Sequence, residues 1–310
     1  MRLVIALGGN ALLKRGEPMS VEVQRRNIRA ASVALAPVIR AHSVIVTHGN
    51  GPQVGLLALQ AAAFTSVPSY PLDVLGAESE GMIGYLLEQE LSNLLGPSVP
   101  LATLLTQMEV DPRDPAFLHP TKPIGPVYSA DEAEAVKDRF GWQMVQDGAK
   151  LRRVVPSPAP VALMERKAVE VLVQTGVTLI CAGGGGIPVA REPNGTFAGV
   201  EAVIDKDWAS ELIAKLMRAD GLIMLTDVDA VKSGYGTPHA RNIRSAHPAA
   251  LSSLSFDAGS MGPKVKAGIA FATETGGFAA IGALTDLDRI LSGEAGTRIS
   301  TLHEGILYGR

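Results

Sequence analysis

Three apolar runs in this chain end in glycine-rich turns: ALGGN at 6–10, THGNG at 47–51 and CAGGGG at 181–186. Runs this short and this apolar predict strands buried on both faces, which belong to a mainly parallel sheet covered by helices. Glycine at the end of such a strand lets the backbone take positive φ or pass close to another group. Backbone N–H groups at such turns, beside helix starts, hold anions, and ligands of open α/β sheets sit at the carboxyl ends of the strands. One turn of this kind is equally a tight connection with no ligand. Three at the same end of successive strands point to a face that handles phosphate.

The rest of the chain keeps the same rhythm. Strands are predicted over 3–7, 43–47, 177–182, 221–226 and 278–282, and helices over 21–41, 52–64, 75–95, 207–218 and 264–275. Pro52 suits a first helical position. Hydrophobic residues make up 46% of the 310 positions, enough for a large core. One region breaks the alternation. Residues 111–153 are polar, proline-rich and poorly periodic, too long for a plain loop, and predict a small protruding subdomain.

Charge and cysteine content exclude several classes. The net charge is 28 − 31 = −3, so nucleic acid is not the expected partner, nor is a membrane surface. The single cysteine, Cys181, lies in an apolar strand and reads as a buried hydrophobe. The six histidines show no zinc spacing, and no metal ligands are assigned. The opening MRLVIALGGNALL reads as a core strand rather than a leader, and no run approaches the roughly 20 apolar residues of a membrane span. A cytoplasmic protein is expected.

A phosphate-handling face here lacks the usual signatures. There is no Gly-Lys dipeptide, hence no Walker A loop, and neither HRD nor DFG occurs. Gly8-Gly9 follows a strand without completing GxGxxG. The candidate cations are Lys206 in IDKD, Lys264 in GSMGPK and Lys122 in PTKP. An isolated lysine is ordinarily a solvated surface charge, but each of these stands in a loop or at a helix start. Asp205, Asp207, Asp227 and Asp229 are candidates for ligand contact or for orienting the lysines, and Asp207 equally suits a helix cap. His48 could be a base, although a hydrogen-bonded structural role suits its position better.

Read in order, these segments resemble the carbamate kinases of the amino-acid-kinase family across essentially the whole chain. The resemblance is carried by ALGGNALL (6–13), THGNGPQVG (47–55), GAESEGMIGY (76–85), DPAF (114–117), PTKPIGP (120–126) and SPAP (157–160). It continues through GGGGIPV (183–189), GVEAVIDKDWAS (199–210), LTDVDAV (225–231), AGSMGPKV (258–265) and GEAGTRI (293–299). The resemblance implies an open three-layer α/β/α sandwich. An acceptor-binding lobe over 1–200 would carry the subdomain of about 111–153, and a nucleotide-binding lobe would span 201–310. It implies phosphoryl transfer between ATP and carbamate with magnesium, run toward ATP in arginine breakdown, by a homodimer acting on small molecules only.

By motif, Lys206 and Lys264 would contact the nucleotide phosphates, Lys122 would reach in from the subdomain and Asp205 would orient the lysines. Gly8, Gly9, Asn10, Gly49, Asn50 and Gly51 would line the carbamate and the transferred phosphoryl group. Asp207, Thr226, Asp227 and Val228 would border the nucleotide. Lys232 stands where many members carry an aromatic residue, and Tyr235 would supply that packing. The alternatives are a relative with a larger acceptor, such as an acetylglutamate- or uridylate-type kinase, and a non-catalytic nucleotide sensor on the same fold. PTKPIGP weighs against the first, and Asn10, Lys206 and Lys264 weigh against the second.

Overall fold

The structure is a computed structural model that describes residues 1–14, 16–257 and 261–309, with the side chains of Asn10 and Ala11 outside the description. Residues 258–260 of the AGSMGPKV segment therefore lie outside the described residues. Its centre is a six-strand parallel array: β1 (Arg2–Leu7), β2 (Ser43–His48), β3 (Leu101–Leu104), β4 (Thr178–Cys181), β5 (Gly221–Thr226) and β6 (Phe278–Ala283). They lie side by side in the order β3-β4-β2-β1-β5-β6. Thr297–Ile299 extends the sheet antiparallel to β6, and Arg241–Ala246 follows it. The topology is an α/β sheet with right-sized crossovers, each central strand leading to or from a helix.

The period of two along β1 shows why the sheet needs cover on both sides. Leu3, Ile5 and Leu7 point into one cluster, with Ile28 and Leu35 of helix Val21–Ala41 and Ile83, Leu87 and Leu91 of helix Leu72–Leu95. Val4 and Ala6 point into the other, with Val169 of helix Arg166–Gln174, Ile213 of helix Lys206–Leu216 and Phe271 of helix Met261–Thr275. These two cores on opposite faces make the expected three layers. Among the described residues no helix is long and apolar enough to cross a membrane.

The proline-rich region folds as a three-stranded antiparallel sheet, Lys122–Tyr128, Lys150–Val155 and Met144–Asp147, with helix Ala130–Phe140. That helix carries a capping box between Ser129 and Glu132 and stops at Gly141 with φ of 68°. Pro123 and Pro126 hide the first strand from sequence reading. They are tolerated because Lys122–Tyr128 is an edge strand, with an irregularity between Ile124 and Val127. A second small sheet joins Phe197–Gly199, Ile187–Arg191, Gln107–Val110 and Pro160–Leu163.

The subdomain seats on helix Gly51–Ala63 through a glycine-on-glycine contact. A Cβ added to Gly55 would stand 2.0 Å from Gly125 Cα, and Gly125 itself has φ of +72°. The two backbones meet where no side chain fits. Gly55→Ala should therefore force the edge strand off its helix and cost about 1–3 kcal/mol, as overpacked cores do. Urea unfolding should show a lower midpoint. An unchanged midpoint would mean that the subdomain is not held at this contact.

Candidate active site

The carboxyl ends of β2, β1 and β5 carry the first two glycine turns and Thr226. Gly8 N donates to Leu225 O at 2.8 Å, and Gly49 N donates to Leu7 O at 3.1 Å. These two N–H groups continue the sheet ladder and are spent there. A Cβ on Gly8 would stand 2.7 Å from Leu225 O and 3.6 Å from Thr226 Cα, so the turn lies flat on the next strand. A Cβ on Gly49 would stand 3.2 Å from Gly9 N and 3.5 Å from Lys206 Cδ. Among the described residues nothing beyond its chain neighbours and its own helix backbone lies within 4 Å of the place a Gly9 Cβ would take. The glycines thus bring two turns and a lysine stem together around open space. The side chain of Asn10, expected at this point, lies outside the described residues.

The lysines come from three separate elements. Lys206 is the first residue of its helix rather than the residue before it, and Lys264 lies in the first turn of helix Met261–Thr275. Lys122 opens the edge strand of the subdomain. Asp207 joins the first two: Lys206 Nζ donates to its Oδ1, and Lys264 Nζ donates to its Oδ2 at 3.1 Å. Lys122 Nζ donates to Asp205 Oδ2, and Asp205 Oδ1 accepts from Asp207 N at 2.9 Å. The helix cap therefore falls to Asp205, and Asp207 is free to bridge two ammonium groups. Three positive and two negative side chains leave one net positive charge in this cluster.

Lys206, Asp207 and Lys264 are all buried. Burial pushes the Asp207 carboxyl up, but Lys206 and Lys264 overcome it and hold the group below the usual aspartate range. Burial lowers the Lys206 ammonium, and Lys264 adds to this against the pull of Asp207. For Lys264 the burial effect is outweighed by Asp207, and its value ends raised. Such a cluster suits a visiting polyanion, which can take lysine hydrogen bonds that the aspartates now hold.

The remaining expected contacts are less uniform. A Cβ on Gly51 would be 3.8 Å from Pro123 O, so the subdomain closes over the second turn. Asn50 Nδ2 donates to Ser79 Oγ at 2.8 Å and leaves its own helix uncapped by a side chain. Thr226 donates from Oγ1 to Asp227 Oδ1 at 3.0 Å, with Val228 following in the same turn. Asp229 accepts from Asn242 Nδ2 at 2.7 Å. Tyr235 stands apart, 75% exposed between strands Lys232–Ser233 and Arg241–Ala246, and makes none of the hydrogen bonds of the lysine cluster.

A second polar cluster lies beneath the turn at 182–186. Glu80 Oε1 accepts from Gly183 N at 2.9 Å and from Thr106 Oγ1 at 2.7 Å. Thr106 Oγ1 in turn accepts from Ala182 N at 2.6 Å. The His48 ring packs against Gly183, its Nδ1 on Gly49 O at 3.1 Å and its buried Nε2 without a hydrogen-bond partner among the described residues. Ser79, Glu80 and Thr106 are absent from the sequence-based candidates. A signal for the first two was present: Leu72, Leu75, Gly76, Ser79, Glu80, Ile83 and Leu87 share one helical face. A carboxylate on an otherwise apolar stripe needs a buried partner.

Residues 1–278 match the amino acid kinase family. The chain belongs to that family. It is 55% identical over 308 residues to the carbamate kinase of Haemophilus influenzae, covering 99% of each chain. It is 52% identical over 299 residues to that of Escherichia coli K12, covering 96% of this chain and 99% of the other. The solved carbamate kinase of Giardia lamblia bound to citric acid superposes with a TM-score of 0.91 at 39% identity, over 96% and 98% of the two chains. The same enzyme bound to AMP-PNP gives 0.87 at 40% identity, over 96% and 98%. Within the family, the chain stands among the carbamate kinases.

Burial moves two neighbours beneath the third turn in opposite directions. It drops His48 to about 4, against a hydrogen bond to Gly49, and lifts Glu80 to about 7, against bonds from Thr106 and Gly183. A base with a lowered folded value gains stability as pH rises from about 4 to 6.5. An acid with a raised folded value loses stability as pH rises from 4.5 to about 7. The two slopes oppose each other between pH 4.5 and 6.5. Glu80→Gln should remove the falling slope. Its unfolding free energy should then gain on the wild type by up to about 3 kcal/mol between pH 4.5 and 7. Parallel pH curves for the two proteins would place Glu80 in its ordinary range.

Proposed function

We propose that this chain transfers a phosphoryl group between ATP and carbamate, and that Lys206, Lys264 and Lys122 stabilise the charge in transit. The observation that supports this most is the pair of buried lysines on one aspartate beside Gly9 and Gly49, with a third lysine reaching in from the subdomain. In the ATP-forming direction an oxygen of the ADP β-phosphate attacks the phosphorus of carbamoyl phosphate. The bond from phosphorus to the carbamate oxygen breaks, and carbamate leaves as an anion. In reverse, the acceptor oxygen is already anionic. Neither direction needs a general base, so the reaction asks mainly for in-line alignment and cations around the phosphoryl oxygens. Carbamoyl phosphate is a mixed anhydride, and this favours running toward ATP in a catabolic setting.

The division of labour follows the elements. Gly8, Gly9, Asn10, Gly49, Asn50 and Gly51 line the place of the acceptor and the transferred group, within a lobe over 1–200. Lys206 and Lys264 hold the nucleotide phosphates from a lobe over 201–310, with Asp207 placing them. Thr226, Asp227, Val228 and Tyr235 border the nucleotide. Lys122, tethered by Asp205, makes the subdomain a lid. A homodimer in the cytoplasm completes this reading.

Magnesium belongs to the nucleotide substrate. Among the described residues no three His, Cys, Asp or Glu side chains gather to hold a metal ion, and Asp205 and Asp207 are engaged by lysines. These residues do not fit a protein-built magnesium site. They fit an ion that comes and goes on the phosphates, as magnesium commonly does.

Purified protein given carbamoyl phosphate and MgADP should form ATP. Lys206→Ala and Lys264→Ala should each lower turnover by about 10²–10³, the usual cost of losing one preorganised donor. A folded variant with near-normal turnover would remove that lysine from the reaction. No ATP from the folded wild type would turn the search to larger acceptors such as acetylglutamate and UMP.

A further inference from the structure

The turn at 182–186 has two bonds of its own, Gly185 N to Ala182 O at 3.0 Å and Gly186 N to Gly183 O at 3.1 Å. Ala182, Gly184, Gly185 and Gly186 all take positive φ, and Ala182 does so with a side chain, at +50°. Backbone of this kind is intrinsically free in glycine and strained in alanine, so its path also needs support from outside. Glu80 of helix Leu72–Leu95, together with Thr106, supplies it. Glu80 is 1% exposed and takes the N–H of Gly183, while the Thr106 it binds takes the N–H of Ala182. Thr106 O also accepts from Ile187 N at 2.8 Å, closing the far end of the turn.

Ser79, 0% exposed, holds the facing turn. Its Oγ donates to Gly76 O at 2.8 Å and accepts from Asn50 Nδ2 at 2.8 Å. The Asn50 amide in turn lies flat on the third turn: a Cβ on Gly184 would stand 2.1 Å from Asn50 Nδ2. The ends of β2 and β4, neighbours in the sheet, are thus braced from below by one helix. The Glu80 oxygens accept from every group bonded to them here: Gly183 N, Thr106 Oγ1 and, at 3.4 Å, Thr106 N.

Building on the acceptor assignment above, we propose that Glu80 and Ser79 are positioning residues that fix the spacing between the turns at 48–51 and 182–186, and so size the acceptor pocket to one small planar anion. Neither side chain touches the reacting atoms. Glu80 acts through Gly183 and Thr106, and Ser79 acts through Asn50. Loosening either brace lets the turns part and weakens the grip on carbamate or carbamoyl phosphate. The nucleotide lysines, carried by two other helices, keep their places.

The test is the ATP-forming reaction with the full-length protein, with KM measured separately for carbamoyl phosphate and for MgADP. Glu80→Ala should raise the first by about 10-fold or more and change the second by less than about twofold, since a displacement of about 1 Å at a reacting site is costly. Glu80→Gln keeps an oxygen acceptor for Gly183 and Thr106 and should restore most of the loss. Ser79→Ala should give the same one-sided rise through Asn50. Should Glu80→Ala not fold, Glu80→Gln and Ser79→Ala still decide the matter: Ser79→Ala with a selective rise supports the inference. Equal rises in both KM values, or a lower melting temperature with both unchanged, would reduce Glu80 and Ser79 to core residues and overturn it. A wild type that forms ATP while its variants show no selective rise sinks this inference alone. A wild type that forms none sinks the acceptor assignment with it.

Discussion

Two ammonium groups, on Lys206 and Lys264, share the Asp207 carboxylate in a place where burial works against every one of the three charges. Removing one partner of such a group strands the others, typically at about 3–5 kcal/mol. The cluster is therefore a poor way to gain stability and a good way to store positive charge without water. The fold is arranged around keeping it. The Asp205 cap sets the start of the lysine helix, and the same aspartate tethers Lys122. Thr47 and Ser210 share a hydrogen bond of 2.6 Å that locks this helix to β2, the strand that leads into the second turn.

Stored positive charge has meaning only beside a space that excludes side chains. The glycines supply it in two distinct ways. At Gly8 and Gly55 a side chain would collide with backbone, so glycine there permits close packing. At Gly9 none of the other described residues lies within 4 Å, so glycine there leaves room. The first kind belongs to the scaffold, and the second leaves space at the end of the sheet. A phosphoryl transfer with no general base matches this division. Backbone and cations fix the geometry, and no titrating side chain has to change state as the group moves. His48 and Glu80, two of the perturbed groups at the turns, are buried beneath them.

Much of the scaffold is legible in the sequence. The helix predicted over 21–41 is found as Val21–Ala41, and the strand over 221–226 as Gly221–Thr226. Both are long or strongly apolar segments whose local preference and burial agree. Edges were less legible. The helix read from 75 begins at Leu72, and the one read from 207 begins at Lys206, because caps are set by single hydrogen bonds. The subdomain strand Lys122–Tyr128 was hidden by prolines that only an edge position allows. Glu80 and Ser79 were visible in principle as polar residues on an apolar helical stripe, although their partners were not.

What the sequence determined by itself was the layered α/β plan, because continuous apolar strands need helices on both faces. It also determined the chemistry on offer, because glycine turns and a few lysines without Walker, zinc or thiol patterns leave phosphate handling as the coherent use. What only the tertiary structure decided was the pairing. Lys264 and Asp207 are 57 residues apart, and Lys122 and Asp205 are 83 apart. No local preference joins such positions. They meet because parallel strands bring their loops to one end of the sheet, and because a glycine-on-glycine contact seats the subdomain above it.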